Sequence, residues 1–229
     1  MRFFAPLTLI YFVVLAVEIY AEVYDLRSWV YVTKPLLMPI LILLFLANAS
    51  KVLNNEKLFL TLALVFSLAG DVFLMFQLDE LFVFGLASFL IGHLAYVLSF
   101  NGRIKEAALP LGTKLLLAIP FVGFVIGFLV FLFPYITANP ETAPLFGPVA
   151  VYASVISLMG FTALLRKKAV SGTGFLYVFA GALLFIFSDS CIALNKFVAE
   201  FDSARFLIMA TYGTAQYIIT VGTLQSNKN

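Results

Sequence analysis

The chain has 229 residues, of which 63% are hydrophobic and 11% charged, and its mean hydropathy is +1.07. Soluble domains carry about 25% charged residues, so this chain cannot cover a surface that faces water. A net charge of +2 gives no reason to expect a nucleic-acid partner, and a single cysteine and a single histidine argue against a disulfide or a metal centre.

Eight apolar segments are each long enough to cross a bilayer as a helix, which takes about 20 residues. In chain order they span residues 3–21, 29–47, 58–77, 81–100, 113–133, 146–165, 174–194 and 204–223. The stretches between them are polar or contain Pro and Gly, and none is long enough to separate two domains. The sequence therefore predicts an all-α, polytopic membrane helix bundle with eight transmembrane helices, forming one domain over residues 1–229.

Basic residues predict how the bundle is oriented in the membrane. Only four of the 14 Lys and Arg residues lie on the side of the membrane opposite to the N-terminus: Arg27, Lys34, Lys196 and Arg205. Because Lys and Arg concentrate on the cytoplasmic side, both termini are predicted to be cytoplasmic. The first segment resembles a signal peptide, but it lacks a good cleavage site and contains Glu18, so we expect it to be retained.

Ionisable side chains lie inside these apolar helices or at their edges: Glu18, Lys34, Asp71, His93 and Asp189. A charge at the bilayer centre costs about 2.5–3.5 kcal/mol on insertion scales, and such residues are usually functional. With the predicted orientation, all of them except His93 lie at one depth in the non-cytoplasmic half. The common depth predicts a common site.

Structural interpretations compete with this one. Lys34 and Glu18 could extend their charged ends towards the membrane surface. His93 could be a hydrogen-bonding strut between helices, and buried aspartates can hold helices together or form a structural ion network. None of these alternatives explains why the charges share one level.

Polar neighbours of the charged residues favour a cavity. Ser67 precedes Asp71 by one helical turn and shares its face. In the eighth segment Tyr212 and Gln216 are likewise one turn apart. The remaining candidates lie one to three positions from His93 or Asp189: Tyr96, Ser188 and Ser190.

Two carboxyl groups in an apolar site can supply an acid and an anion together. Burial disfavours the charged form and a neighbouring carboxylate does so further, so Asp71 and Asp189 would hold one proton between them near neutral pH. Glycosidases use this combination for acid-promoted cleavage through an oxocarbenium-like species. A serine-based triad fits less well, because the Gly-x-Ser-x-Gly motif is absent.

Four stretches occur together: KPLLMP (34–39), FSLAGDVFL (66–74), FGLASFLIGHLAY (84–96) and GALLFIFSDSCIAL (181–194). In this combination the chain resembles, over nearly its whole length, the lysoplasmalogenase family of membrane proteins, also called YhhN-like. The resemblance implies hydrolysis of the vinyl ether bond of lysoplasmalogens, with a fatty aldehyde and glycerophosphoethanolamine or glycerophosphocholine as products. It implies no metal and no organic cofactor.

The implied reaction agrees with the two aspartates. Protonation of a vinyl ether carbon gives an oxocarbenium ion, so one aspartate would be the acid while the other stabilises the cation or activates water, in either order. Lys34 would contact the lipid phosphate, with Glu18 as its partner. His93 and Tyr96 would orient water or a carboxylate.

Two other functions remain open at this stage. An intramembrane aspartyl protease also uses a Gly-Asp motif, although its second acid should lie in Tyr-Asp rather than in the Ser-Asp-Ser seen here. A proton- or ion-coupled transporter could use the aspartates and Lys34 as a relay. The expected partners are a lysophospholipid and the lipid bilayer, in a bacterial cytoplasmic (inner) membrane, with the oligomeric state open.

Overall fold

The computed structural model of the chain describes residues 4–104 and 109–227. These residues form eight α-helices joined by short turns, and they contain no β-strand. The helices are α1 (Phe4–Val23), α2 (Arg27–Asn48), α3 (Asn54–Met75), α4 (Asp79–Ile104), α5 (Leu111–Thr137), α6 (Phe146–Leu165), α7 (Gly172–Phe197) and α8 (Ala204–Leu224). Short 3₁₀ turns follow α2 and α6, and another precedes α6.

All eight predicted segments are confirmed as helices, and most extend further than predicted. The polar ends explain the difference, because α4 continues to Ile104 and α3 begins at Asn54 with side chains that a hydropathy pattern assigns to loops. The predicted start of the first segment at residue 3 lies outside the described residues. Seven helices, α1 to α7, are long and apolar enough to cross a membrane.

Helix α8 is more polar than the other seven helices and does not meet this criterion. It carries buried polar residues on the faces that it packs against other helices, including Gln216, Thr220 and Thr223, which are fully buried. The hydroxyl groups of Thr220 and Thr223 donate to carbonyl oxygens one turn back in the same helix. Polar atoms satisfied in this way can be buried, but they lower the hydropathy by which a span is recognised.

Seven of the helices form a closed ring. Neighbours in the ring are α1 and α2, α2 and α3, α3 and α4, α4 and α6, α6 and α7, α7 and α8, and finally α8 and α1. Helix α5 lies outside the ring, where it packs mainly on α6. Its outward face is a continuous row of exposed apolar side chains that includes Leu115, Ile119, Val122, Ile126 and Val130.

Glycines allow the tightest helix pairs in the ring, α3–α4 and α7–α8. A Cβ atom placed on Gly181 of α7 would lie 2.6 Å from the Ile219 side chain, and one on Gly222 of α8 would lie 2.7 Å from Tyr177. Between α3 and α4, a Cβ atom on Gly85 would lie 2.6 Å from Leu74. Small residues at such interfaces let helix backbones approach closely.

Short turns close one end of the bundle, and Lys34, Asp71 and Asp189 lie in the half of their helices nearer to this end. We call it the outer end; it carries the α1–α2, α3–α4, α5–α6 and α7–α8 connections. Asp25 in the first of these turns and Gln77 in the second have positive φ angles of 56° and 54°. Two prolines inside α2 each remove one helix hydrogen bond: Pro35 directly after Lys34, and Pro39 about one turn later.

Candidate active site

Asp71 is buried inside the ring and bonded across it. Its side chain lies on α3, 2% of its surface is exposed, and its Oδ2 atom accepts a hydrogen bond of 2.7 Å from the Tyr212 hydroxyl of α8. One turn earlier, the Ser67 hydroxyl accepts a 2.9 Å bond from the Gln216 amide. Gln216 also accepts a bond from the Tyr96 hydroxyl. Ser67 and Tyr96 therefore belong to one network that joins α3, α4 and α8 beneath Asp71.

Asp189 of α7 is held by two donors from other helices. The Tyr152 hydroxyl of α6 donates to its Oδ2 atom, and the same oxygen lies 3.1 Å from Nε2 of His93 on α4. Nε2 of His93 is also 2.9 Å from the Tyr152 hydroxyl. With its hydrogen on Nε2, His93 donates to Asp189, while its buried Nδ1 atom has no partner among the described residues. His93 thus lies within hydrogen-bond reach of one of the two aspartates.

An aromatic wall separates the two aspartates. The Tyr212 ring meets Phe185 edge to face at 5.4 Å and Phe89 at 5.8 Å between centroids. Phe185 in turn packs on His93 at 4.7 Å. No hydrogen bond joins the carboxyl groups of Asp71 and Asp189 directly in the part of the chain that the structure describes, although they interact electrostatically. Each aspartate has its own tyrosine donor.

Lys34 pairs with a different glutamate from the predicted one. Its Nζ atom donates to Oε1 of Glu22 at 2.7 Å. Glu18, the predicted partner, accepts a bond from the Thr33 hydroxyl instead, and its buried Oε1 atom has no partner among the described residues. Glu22 lies in the last turn of α1, where the sequence indicates only the beginning of a polar loop.

The two serines beside Asp189 make backbone hydrogen bonds. The Ser188 hydroxyl donates to the Ile208 carbonyl of α8 at 3.1 Å, and the Ser190 hydroxyl donates to the Ile186 carbonyl of its own helix at 2.7 Å. Ser188 is fully buried and joins α7 to α8. Neither hydroxyl bonds to His93, so the structure forms no serine-based triad from these residues.

A wide charged cavity of about 780 Å³ lies at the outer end; we call it the vestibule. Charged side chains of both signs line it, three acidic and three basic: Glu22, Glu200, Asp202, Lys34, Lys196 and Arg205. Arg205 also donates to the exposed Asp25 carboxylate at 2.8 Å. Hydrogen bonds from Arg27, which has the larger effect, and from Arg205 hold the pKa of Asp25 below its usual value.

A narrow apolar cleft continues from the vestibule towards the middle of the bundle. Leu74, Phe82 and Ile192 line both spaces and form the neck between them. Helices α4, α5, α6 and α7 form most of the cleft wall. Asp189 and Tyr152 line this cleft, whereas Asp71 is not among the described residues that line either space.

Among residues 4–104 and 109–227, no group of three His, Cys, Asp or Glu side chains could hold a metal ion. The free cysteine, Cys191, is buried in α7. The carboxyl, imidazole and phenol groups of this site can transfer protons and stabilise charge.

Comparison with known proteins points to one family. The YhhN family model matches residues 29–223. Lysoplasmalogenase TMEM86A of Bos taurus is 35% identical and that of Homo sapiens 33% identical over 169 residues, which cover 72% of this chain and 65% of each relative. A lysoplasmalogenase of Mycobacterium tuberculosis is 29% identical over 182 residues, which cover 79% of this chain and 66% of that protein. The chain thus spans less than two thirds of these relatives. No solved structure matches it.

Proposed function

The chain belongs to the YhhN family, and from that premise we propose that it is a lysoplasmalogenase of the membrane. In this proposal it hydrolyses the vinyl ether bond of a lysoplasmalogen to a fatty aldehyde and a glycerophospho-base. The names of its relatives support the reaction. The seven helices that could cross a membrane agree with a multi-pass membrane protein of this family.

One structural observation carries the chemical part of the proposal. Two carboxyl groups, one buried and one partly buried, each accept a hydrogen bond from a tyrosine on another helix, Asp71 from Tyr212 and Asp189 from Tyr152. Cleavage of a vinyl ether requires an acid that can protonate carbon and an anion near the positive charge that results. A phenol hydrogen bond stabilises the carboxylate that remains after a proton has moved to the substrate.

The reaction divides into three steps. A carboxylic acid protonates the vinyl carbon distal to oxygen, which gives an oxocarbenium ion. Water then attacks the carbon next to oxygen and gives up a proton to a carboxylate, and the hemiacetal collapses to aldehyde and alcohol. Asp71 and Asp189 divide the roles of acid and anionic partner.

The vestibule suits the head group of such a lipid. Phosphoethanolamine and phosphocholine carry one negative and one positive charge, and the vestibule presents both acidic and basic side chains. Lys34 would bind the phosphate as a point charge, after exchanging part of its ion pair with Glu22. We place this site on the non-cytoplasmic side of a bacterial inner membrane, with both chain termini in the cytoplasm.

The test is aldehyde release from purified protein in detergent, measured by mass spectrometry. Asp71→Asn and Asp189→Asn should each lower turnover by about two orders of magnitude or more, because the amide cannot supply or accept the proton. The control is Glu141→Gln, which makes the same carboxylate-to-amide change at an exposed position in the α5–α6 turn. Near-normal turnover by either aspartate variant would remove that residue from the chemistry.

Ordinary lysophospholipid, which has an ester in place of the vinyl ether, is the substrate control. Release of a fatty acid from the ester, with no aldehyde from the vinyl ether, would contradict the proposed function.

A further inference from the structure

The apolar cleft presents one carboxyl group to whatever occupies it. Its polar lining residues are Asp189, Tyr152 and Ser190. The Ser190 hydroxyl is bonded to its own helix and the Tyr152 hydroxyl donates to Asp189. All the other lining side chains are apolar, with aromatic rings prominent on α4 and α5. Such a lining suits a hydrocarbon with a reactive group near Asp189.

Asp189 is anchored through one oxygen only. Its Oδ2 atom accepts the bonds from Tyr152 and His93, and no described residue bonds to Oδ1. The anchored oxygen fixes the orientation of the carboxyl group while Oδ1 remains for a molecule in the cleft. A general acid must be within hydrogen-bond reach of the atom that it protonates, and Asp189 meets this requirement for an occupant of the cleft.

The vestibule and the cleft together indicate how a bound lipid would be oriented. The neck at Leu74, Phe82 and Ile192 connects the charged vestibule to the cleft, and the cleft extends inwards as far as Phe124 and Ile156. A lipid whose head group lies in the vestibule would therefore pass its chain through the neck, alongside Asp189, and towards the centre of the bundle. In the predicted orientation, a lipid of the outer leaflet likewise points its chain from the outer end of the bundle towards the middle of the membrane.

We propose that the cleft binds the alkenyl chain of the substrate, and that Asp189 is therefore the residue that protonates it. The inference rests on the proposed function. The proton moves from the Asp189 carboxyl to the second carbon of the chain, and the double-bond electrons form the new C–H bond. The first carbon and the ether oxygen then share the positive charge, beside the carboxylate that Tyr152 and His93 stabilise.

Attack by water completes the reaction. Its oxygen bonds to the first carbon, and one of its protons passes to a carboxylate, which restores the carboxylic acid. The remaining hydroxyl proton then moves to the glycerol oxygen by way of a carboxylate, as the C–O bond to glycerol breaks and the C=O bond of the aldehyde forms. Asp71 is 2% exposed and is separated from the cleft by the Phe89 ring, which packs on Tyr212. Its position fits the anionic partner, which acts on the site through charge rather than through contact with the chain.

The experiment compares chain-length preference in matched variants. Ile156→Phe fills the inner end of the cleft, and Ile126→Phe makes the same change on the outward face of α5, where the side chain is 59% exposed. We expect Ile156→Phe to lower kcat/KM for a sixteen-carbon alkenyl chain about tenfold more than for a four-carbon chain, because the shorter chain ends before it reaches Ile156, one helical turn from Tyr152. Ile126→Phe should leave the ratio unchanged. Equal losses for both chains in Ile156→Phe would overturn the chain site.

A variant that widens the cleft tests the same proposal if Ile156→Phe does not fold. Phe124→Ala enlarges the same end of the cleft, and Phe131→Ala is its control on the exposed face of α5. Phe124→Ala should shift the preference towards longer chains, whereas an unchanged preference would contradict the proposal. Aldehyde release that survives in Asp189→Asn but not in Asp71→Asn would reverse the assignment of the acid.

Binding without chemistry separates this inference from the proposed function. Saturated 1-O-alkyl lysophospholipids cannot undergo the reaction, and their protection of the protein against thermal unfolding can be measured directly. The cleft predicts protection that rises with chain length in the natural protein and is reduced in Ile156→Phe. If this is seen while no aldehyde forms from any lysoplasmalogen, the chain site stands and the hydrolase proposal fails. Protection independent of chain length overturns the chain site.

Discussion

Tyrosine hydroxyls are direct hydrogen-bond partners of both Asp71 and Asp189, and the two tyrosines differ in position. Tyr152 lines the apolar cleft beside Asp189, whereas Tyr212 is held between Phe89 and Phe185 beside Asp71. A donor aimed at a charge that develops during reaction contributes more to the transition state than to substrate binding. Tyr152 should therefore influence turnover more than affinity.

At the residue scale we predict that Tyr152→Phe lowers kcat for aldehyde release about a hundredfold, as the loss of one preorganised donor typically does. KM should change little, because the phenyl ring keeps the shape of the cleft. Tyr135→Phe removes a hydroxyl from an exposed tyrosine on α5 and serves as the control. A rise in KM with unchanged kcat would instead give Tyr152 a role in substrate binding alone.

The charged members of the site can be recognised from sequence, but several of their partners cannot. Asp71, Asp189 and Lys34 are recognisable because a charge in an apolar helix is costly. Tyr152 offers no such signal, because tyrosine is common in membrane helices and nothing in the sequence of α6 shows that it faces Asp189. Glu22 lies at the polar end of α1, where glutamate needs no explanation, so its pairing with Lys34 emerges only from the packing of α1 on α2.

At the scale of elements, a buried ion cluster joins four helix ends at the opposite end of the bundle from the vestibule. Glu56 of α3 accepts hydrogen bonds from Arg103 of α4 at 3.0 Å and from Arg166, just after α6, at 2.8 Å. Arg166 also donates to Ser226, just after α8, and packs over the Phe100 ring at 5.0 Å. Glu56 and Arg166 are fully buried.

We predict that Glu56→Gln destabilises the protein by about 3–5 kcal/mol, because it leaves two buried guanidinium groups without their counter-charge. Thermal unfolding in detergent measures the effect, with Glu141→Gln as the exposed control. Aldehyde release per folded molecule at low temperature should remain close to normal, since the cluster lies far along the helices from Asp189. An unchanged unfolding temperature would mean that water or another group compensates the charges.

The existence and order of the helices follow from the hydropathy pattern, whereas the pairing of their ends does not. Glu56, Arg103 and Arg166 fall in or next to the polar stretches that a pattern assigns to loops, and such charges are normally solvated. Which of them meet depends on the ring order, in which α4 contacts α6 rather than α5. Apolar helix sequences carry little information about that order, because the same residues suit lipid and protein neighbours alike.

At the scale of the whole molecule, the charge distribution predicts which end faces the cytoplasm. The turn after α6 contains Arg166, Lys167 and Lys168, and the α5–α6 turn carries Glu141 and no basic residue. Basic loops remain on the cytoplasmic side during insertion. The vestibule, at the same end as Glu141, would then face away from the cytoplasm.

Cysteine labelling in intact cells tests this orientation. The single cysteine, Cys191, is replaced by serine, and a new cysteine is introduced as Glu141→Cys or Lys167→Cys, both at exposed positions. A membrane-impermeant maleimide should label the first variant in intact cells and the second only after permeabilisation. The opposite pattern would invert the predicted topology and place the vestibule in the cytoplasm.

The arrangement of the cleft relative to the vestibule suggests a separate route of release for each product of the proposed hydrolysis. The vestibule is wide and charged. The partly exposed rings of Phe124 and Phe128 on α5, the helix outside the ring, form one wall of the cleft. The polar glycerophospho-base would diffuse from the vestibule into water. The apolar aldehyde would leave the cleft past α5 and enter the membrane. Separate exits of this kind would spare the reactive aldehyde any passage through the aqueous phase and would keep either product from blocking the release of the other.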